Sequence, residues 1–235
     1  MHARLLILLP AAALALGAAA QRPAPQSPQA ARPLVAVLPL VAEPDAFLAD
    51  EDGTPRPWLL DRKEMTNRIT ADLAAQARAK EWKVRIVPGG EVWTAYAEAA
   101  GKQAAKWDHE LKEAGLQAIS KKLKADYLLL PKVVSFSASV TREASPETGG
   151  NVTQVSVETE LHLAFHKAGS AEPEFETSTE SSGETAAPGL GPPRATAARK
   201  LGFVPALASG IQEFLASLEE TPDESPADPP GPASH

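Results

Sequence analysis

The sequence predicts an α/β fold: a single mixed sheet in the order β-α-β-α-β-β-β-α, with helices packed mainly on one face. Three features carry that expectation. Residues 33–42, PLVAVLPLVA, form a nearly continuous apolar run, which is how a strand covered on both faces reads. Helical periodicity follows it twice, with a short alternating segment between. Beyond residue 127 the period falls to two and holds through three segments, as in an antiparallel meander with one wet face.

The elements follow in order. The polar, proline-punctuated stretch 43–57 reads as a loop. Asp61 and Glu64 then have capping-box spacing, with aspartate in place of the usual hydroxyl residue. Met65, Ile69, Leu73 and Ala77 recur four apart, a narrow apolar stripe on a helix. WKVRIV (82–87) alternates as a second strand and stops at Pro88-Gly89-Gly90. A helical region spans about Glu91 to Lys124, broken near Gly101, with Trp107, Leu111, Gly115, Ala118 and Ile119 along one side of its second half. Lys121, Lys122 and Lys124 close it, where positive charge suits the carbonyl end of the helix dipole. The long strand that follows places Leu128, Leu130, Val134, Phe136, Ala138 and Val140 on one face, with Lys132 as the exception. Its start belongs under the helices and its end in a projecting hairpin. After the turn-rich EASPETGGN, Val155, Val157, Leu161, Leu163 and Phe165 alternate with polar residues, and EFETSTESS adds a third strand. A last helix, from about Arg194 to Glu219, buries Ala198, Leu201, Ala208, Ile211, Leu215 and Leu218 and kinks at Pro205.

The ends of the chain set its address. Residues 1–20 read as a secretory signal peptide, with Arg4, an apolar stretch from Leu5 to Leu16, and small residues from Gly17 to Ala20. That apolar run is shorter than the ~20 residues that span a bilayer. Residues 21–32 read as a Pro-rich linker, 33–219 as the folded domain, and 220–235 as a disordered acidic Pro-rich tail. The chain has no cysteine, which excludes disulfides, thiolate metal sites, a thiol nucleophile and the lipid anchor of an acylated lipoprotein. With Arg4 removed, the 23 basic residues become 22 against 30 acidic ones, a formal charge of −8. That balance argues against a nucleic-acid partner. The expected location is the periplasm or the secreted fraction of a Gram-negative-type bacterium, without lipid or transmembrane anchor after signal cleavage.

Two phrases carry a family resemblance. Val35-Ala36-Val37-Leu38-Pro39-Leu40 opens the domain, and Ile119-Ser120-Lys121-Lys122-Leu123-Lys124-Ala125-Asp126-Tyr127 joins a helix to the long strand. In that setting the chain resembles a group of bacterial envelope domains. The group includes the amino-terminal domain of TolB, the curli-secretion channel subunit and the activator lipoproteins of penicillin-binding proteins. The likeness covers about residues 33–218. Lys124 stands where the group's phrase usually has glycine, and the absent lipid-attachment cysteine departs from the anchored members. The resemblance implies the fold and an envelope address; fold by itself does not transfer an activity.

Asp108-His109-Glu110 opens like a zinc-protease motif, but Glu113 occupies the second histidine's position, and a solvated helix face is the better reading. His162 and His166, four apart on a strand, are separated by ~13 Å, too far to share an ion. Asp50-Glu51-Asp52-Gly53 lacks the glutamate that closes a calcium loop, Asp61 being at position twelve. Gly189-Leu190-Gly191 is followed by prolines that remove the N–H groups a phosphate cradle needs. No catalytic residue, metal site or cofactor is expected. Candidate partner-binding residues remain: Phe47 and Leu48 within a polar loop, Trp58 just after it, and Trp93 near the loop after the second strand. With the first two strands parallel, both loops open at the carboxyl edge, where α/β sheets place binding sites. Aromatic anchors there suit protein contacts. The expected function is that of an exported non-enzymatic envelope protein, an adaptor or accessory binding another periplasmic or outer-membrane component. The alternatives are self-assembly as a channel-like accessory through the hairpin at 134–160, and a metal-dependent enzyme using His109 or His162.

Overall fold

A computed structural model describes residues 32–43, 46, 61–144, 151–188 and 194–220. By its internal contacts the chain divides into Met1–Ala31 and Arg32–His235, and every described residue belongs to the second unit.

One mixed sheet of six strands organises that unit. In its parallel half, β1 (Leu34–Val37) lies between β3 (Arg85–Ile86) and the start of β4 (Tyr127–Ala144), and β2 (Val41–Ala42) pairs further along β4. Its antiparallel half is the meander of β4, β5 (Asn151–Lys167) and β6 (Phe175–Pro188). The helices are α1 (Arg62–Ala79), α2 (Gly89–Ala100), α3 (Glu113–Leu123), α4 (Arg194–Ala197) and α5 (Val204–Glu220). The α/β class stands, and the first apolar run is divided in two. Pro39, which has no N–H to give a ladder, sits at the break.

β1 is covered on both sides, as its unbroken apolar run requires. Val35 and Val37 join one core, Ala36 and Leu38 the other. The larger core packs the stripe Met65, Ile69 and Leu73 of α1 and the apolar side of α5 against Leu129, Leu161, Leu163 and Phe165. Phe214 stacks on Phe165 with ring centroids 4.2 Å apart, and Phe203 on Phe136 at 5.2 Å. The smaller core packs α2 and α3 against Ala36 and Leu128 and takes no residue from β5 or β6. The long helices α1 and α5 therefore share one face, while α2 and α3 cover only the parallel half of the other.

β4 differs from its sequence reading in one instructive way. Val133 pairs with Leu161 but Ser135 with Glu160, so Val134 is an extra residue and the pleat changes parity there. Tyr127, Leu129 and Val133 thus share a face with Phe136, Ala138 and Val140, and Leu128 points into the smaller core. Lys132 is no exception once the bulge is counted: it belongs to the opposite face. The first half of β4 pairs with β1 and β2 as well as β5, whereas beyond Val133 its strand partner among the described residues is β5, with one further backbone bond from Phe136 N to Ala46 O at 2.8 Å.

The helical region before β4 is also more broken than its periodicity suggested. Gly101 ends α2 at φ 58°, and residues 104–112 are not helical, so Trp107 and Leu111 sit in a connection. α3 ends at Lys124, whose φ of 50° and ψ of 34° are left-handed. Asp126 then ties β4 to β1: its backbone N–H donates to Leu34 O at 2.8 Å, and its carboxylate accepts from Leu34 N at 2.7 Å. Ala125 and Tyr127 on either side are buried in different cores. The phrase from Ala125 to Tyr127 is thus a joint between helix, central strand and meander.

The last helical run meets Pro205 with a π-helical turn at Ala198–Phe203. Pro205 has no N–H for Leu201, four residues back, and Ser181 Oγ donates to that carbonyl instead at 2.7 Å. Gly202 and Gly210 bring this run against β5. A Cβ at Gly202 falls 2.3 Å from Thr159 Oγ1, and one at Gly210 falls 2.1 Å from Leu163 Cδ1. The segment Ala195–Glu220 is long and apolar enough to cross a membrane by length and composition. Here its apolar side, with Val204, Leu207, Ile211 and Phe214, is the lid of the larger core.

Candidate functional site

Beyond the carboxyl end of β1 the sheet opens into a cleft of about 190 Å³. Leu38, Pro39 and Val41 form one wall, Leu111 and Leu116 a second, and Leu130 with Ala164 the floor. Lys132, His162 and Glu110 supply its polar rim. β1 and β3 are parallel, so this is the edge at which the sequence placed the loops after the first two strands.

One buried side chain shapes the wall around Leu111. Asp61 caps α1, its Oδ1 accepting from Glu64 N at 2.9 Å, and sets Arg62 at the first helical position. The Glu64 side chain pairs with Arg68 and makes no reciprocal capping bond. Arg62 is only 2% exposed. Its guanidinium donates to Leu40 O (2.9 Å), Tyr96 Oη (2.7 Å), Ala104 O (3.1 Å), Lys106 O and, more weakly, His109 O (3.4 Å). Tyr96 Oη in turn donates to His109 O at 3.1 Å. The connection between α2 and α3 has little regular structure, and this fork holds its carbonyls in place. Burial lowers the Arg62 pKa, with Tyr96 and Asp108 opposing the shift. Burial raises that of Tyr96, with Arg62 opposing.

The rim is already committed. Lys132 Nζ lies 3.3 Å from both Glu110 Oε1 and Glu43 Oε1, and hydrogen bonds to Glu110 and then Glu43 raise its pKa. The amine is therefore held as an ammonium and is a poor nucleophile or base. His162 has Lys132 opposite it on β4 and Ser178 on β6, so neither strand neighbour brings it a carboxylate. His166 is buried with Leu128 opposite. The His109 carbonyl serves Arg62 and Tyr96. Among the described residues no group of three His, Cys, Asp or Glu side chains is placed to hold a metal.

The residues singled out in the sequence fall as follows. Trp93 lies on α2, half-buried against the smaller core, with its ring 5.9 Å from that of Tyr96. It stands one ring behind the cleft wall and does not line it. Phe47, Leu48 and Trp58, the Asp50–Gly53 stretch and the Gly189–Pro193 stretch lie outside the described residues. In the sequence the cleft residues Leu38, Val41, Leu111 and Leu130 have the pattern of core or strand positions and nothing that sets them apart. Lys132 was the available signal, a cation in an apolar strand.

No protein-family model matches the chain, and no curated protein matches it. Solved structures are similar to it at the level of fold. LpoB of E. coli is 11% identical over 67% of this chain and 57% of that one, with a TM-score of 0.37. The lipoprotein GNA1162 of Neisseria meningitidis is 16% identical over 79% and 99%, with a TM-score of 0.34. The LpoB C-terminal domain of Salmonella enterica is 12% identical over 67% and 83%, with a TM-score of 0.32. This chain thus spans little more than half of the E. coli LpoB chain, at 57%. LpoB is a penicillin-binding-protein activator lipoprotein, one of the proteins of the group that the two sequence phrases resemble, and the likeness is one of fold. At such scores they carry no activity, partner or anchor over to this chain.

Proposed function

We propose that this chain is an exported, non-enzymatic adaptor whose cleft beyond β1 receives an apolar side chain of another envelope protein. The observation that carries the reading is the cleft itself, apolar in its walls and about 190 Å³ in volume. Small-molecule sites run from about 300 Å³ upward. A single buried anchor of a partner, the usual centre of a protein interface, fits this smaller space. The ammonium of Lys132, clamped between carboxylates, supports docking over chemistry. Export rests on residues 1–20, and the same reading assigns further partner contacts to Phe47, Leu48, Trp58 and Trp93.

The test is crosslinking in the cell, with a photo-reactive phenylalanine replacing Leu111 and, as control, Lys83. The expected result is one defined envelope protein captured from position 111 and absent from position 83. Identical adducts from both positions, or none from 111, refute the cleft as a docking site. Adducts of the chain with itself alone transfer the reading to self-assembly.

A further inference from the structure

The cleft continues into a sheet face on which no described helix packs. Leu130 pairs with Ala164 and Lys132 with His162 across β4 and β5, and all four line the cleft. Past the bulge the next rows on that face are Ser135–Glu160–Glu180 and Ser137–Glu158–Ser182, and Glu184 follows beside Ser156. The helices that pack on β5 and β6 do so from the other side, through the larger core. A shallow depression of about 570 Å³ is lined here by Glu158, Glu160 and Glu180 with neighbouring serines.

Past the bulge, the carboxylates of this face have no cationic partner among the described residues. Ser135 Oγ donates to Glu160 and Ser137 Oγ to Glu158, each at 3.4 Å, and Gln154 Nε2 donates to Glu184 at 2.9 Å. Among the described residues no lysine or arginine forms an ion pair with Glu158, Glu160, Glu180 or Glu184. Elsewhere on the molecule exposed carboxylates do find cations, as Glu219 does in Lys83 and Glu98 in Lys122.

We propose that this face is a track for an extended segment of a partner protein bearing lysine or arginine at alternate positions, leading away from an apolar anchor in the cleft. The proposal deepens the cleft reading above and rests on it. Same-face residues of an extended chain repeat every ~7 Å. Glu158 and Glu160 are two apart on β5, so alternate basic residues of a segment lying along the meander reach a carboxylate at each step. From His162 to Ser156 the face extends ~20 Å, the length of about six extended residues. A second copy of this chain is the wrong occupant: its formal charge is −7, and it would bring the same carboxylates to meet these. Charge complementarity selects a basic segment.

The test titrates the full chain with a labelled peptide, Phe-Lys-Thr-Lys-Thr-Lys-Thr, at low and moderate salt. One control peptide has glutamate for lysine and another has serine for phenylalanine. The lysine peptide should bind, weaken with salt, and lose about tenfold in affinity to the double variant Glu160→Gln/Glu180→Gln. The matched double variant Glu172→Gln/Glu220→Gln, at exposed carboxylates off the face, should leave affinity unchanged. Equal binding of the lysine and glutamate peptides, or equal losses in the two double variants, overturns the track while leaving the cleft reading standing. Equal binding of the phenylalanine and serine peptides, with lysine dependence intact, overturns the anchor and with it the cleft reading. Light scattering that shows peptide-independent dimers blocked by Glu160→Gln/Glu180→Gln overturns the basic-segment occupant in favour of a second copy.

Discussion

Replacing Arg62 by methionine should collapse the wall of the cleft from behind. Methionine keeps much of the buried stem but removes the donors to Leu40 O, Ala104 O, Lys106 O and Tyr96 Oη. The bonds to Leu40 and Ala104 are fully buried, so their carbonyls lose a partner that water does not readily replace. Orphaning a buried acceptor costs about 1–3 kcal/mol. Two such groups and the weakened Tyr96 contact outweigh the relief of no longer burying a guanidinium, and the net loss is about 3 kcal/mol. For a domain of this size that lowers Tm by roughly 6–12 °C. The effect should be uneven, because residues 104–112 depend on the fork while the meander does not. Hydrogen exchange followed by mass spectrometry reads this directly. In Arg62→Met, amides in 101–112 should exchange much faster while those of β5 change only by the global loss. Arg62→Lys should fail almost as badly, since an ammonium cannot span the same carbonyls as a planar fork. Unchanged protection of 101–112 in the methionine variant would refute the assignment of Arg62 as the element that shapes the cleft.

Three further outcomes are open to measurement. Lys124→Gly relieves a left-handed backbone at the end of α3 and should raise stability by about 0.5–1 kcal/mol after the greater freedom of unfolded glycine is subtracted; a denaturant midpoint that falls would contradict it. Gly202→Ala drives a Cβ to 2.3 Å from Thr159 Oγ1 and 3.0 Å from Val157 Cγ1 and should cost about 1–3 kcal/mol, whereas an unshifted melting curve would mean that the helix does not press on β5 as described. The chain has two tyrosines, and burial raises the pKa of both above the ordinary 10.0, with Arg62 opposing at Tyr96 and Glu174 adding to the rise at Tyr127. The folded state therefore binds these protons more tightly, so their contribution is full below the ordinary value and is lost as pH rises through the raised ones. Phenolate absorbance should appear above pH 10 together with unfolding, and a normal titration in a still-folded chain would refute it.

Lys132 shows where sequence reasoning stops in this fold. Periodicity assigns faces correctly only while the pleat is uninterrupted, and the extra residue at Val134 reverses parity with only Pro131 and the out-of-pattern Lys132 just before it as a mark. Leu128, Leu129 and Leu130 are all apolar, so the run itself does not say which belongs to which core. The joint at Ala125 to Tyr127 was legible as a phrase, and its anomaly at Lys124 was visible. Its physical content, a left-handed turn followed by the Asp126 clasp on Leu34, came only with the folded chain. Trp107 and Leu111 misled for a related reason: their spacing fits a helix, but the backbone between Gly101 and Glu113 is held by Arg62 in a different shape.

The sequence by itself determined the α/β class, the strand buried on both faces, the capped first helix and its apolar stripe, and the meander with one wet side. Each of these follows from local periodicity and from the preferences of single residues. The tertiary structure decided the parity of β4, the split of the core between two sides of the sheet, and the cleft. That cleft joins residues near 38, 96, 111, 130 and 162, which have no common local pattern. It depends on a buried arginine gathering the carbonyls of a distant loop, and on α2 and α3 packing on the parallel half of that face alone. A concavity is made by the spacing between elements, and that spacing is fixed by contacts among residues far apart along the chain.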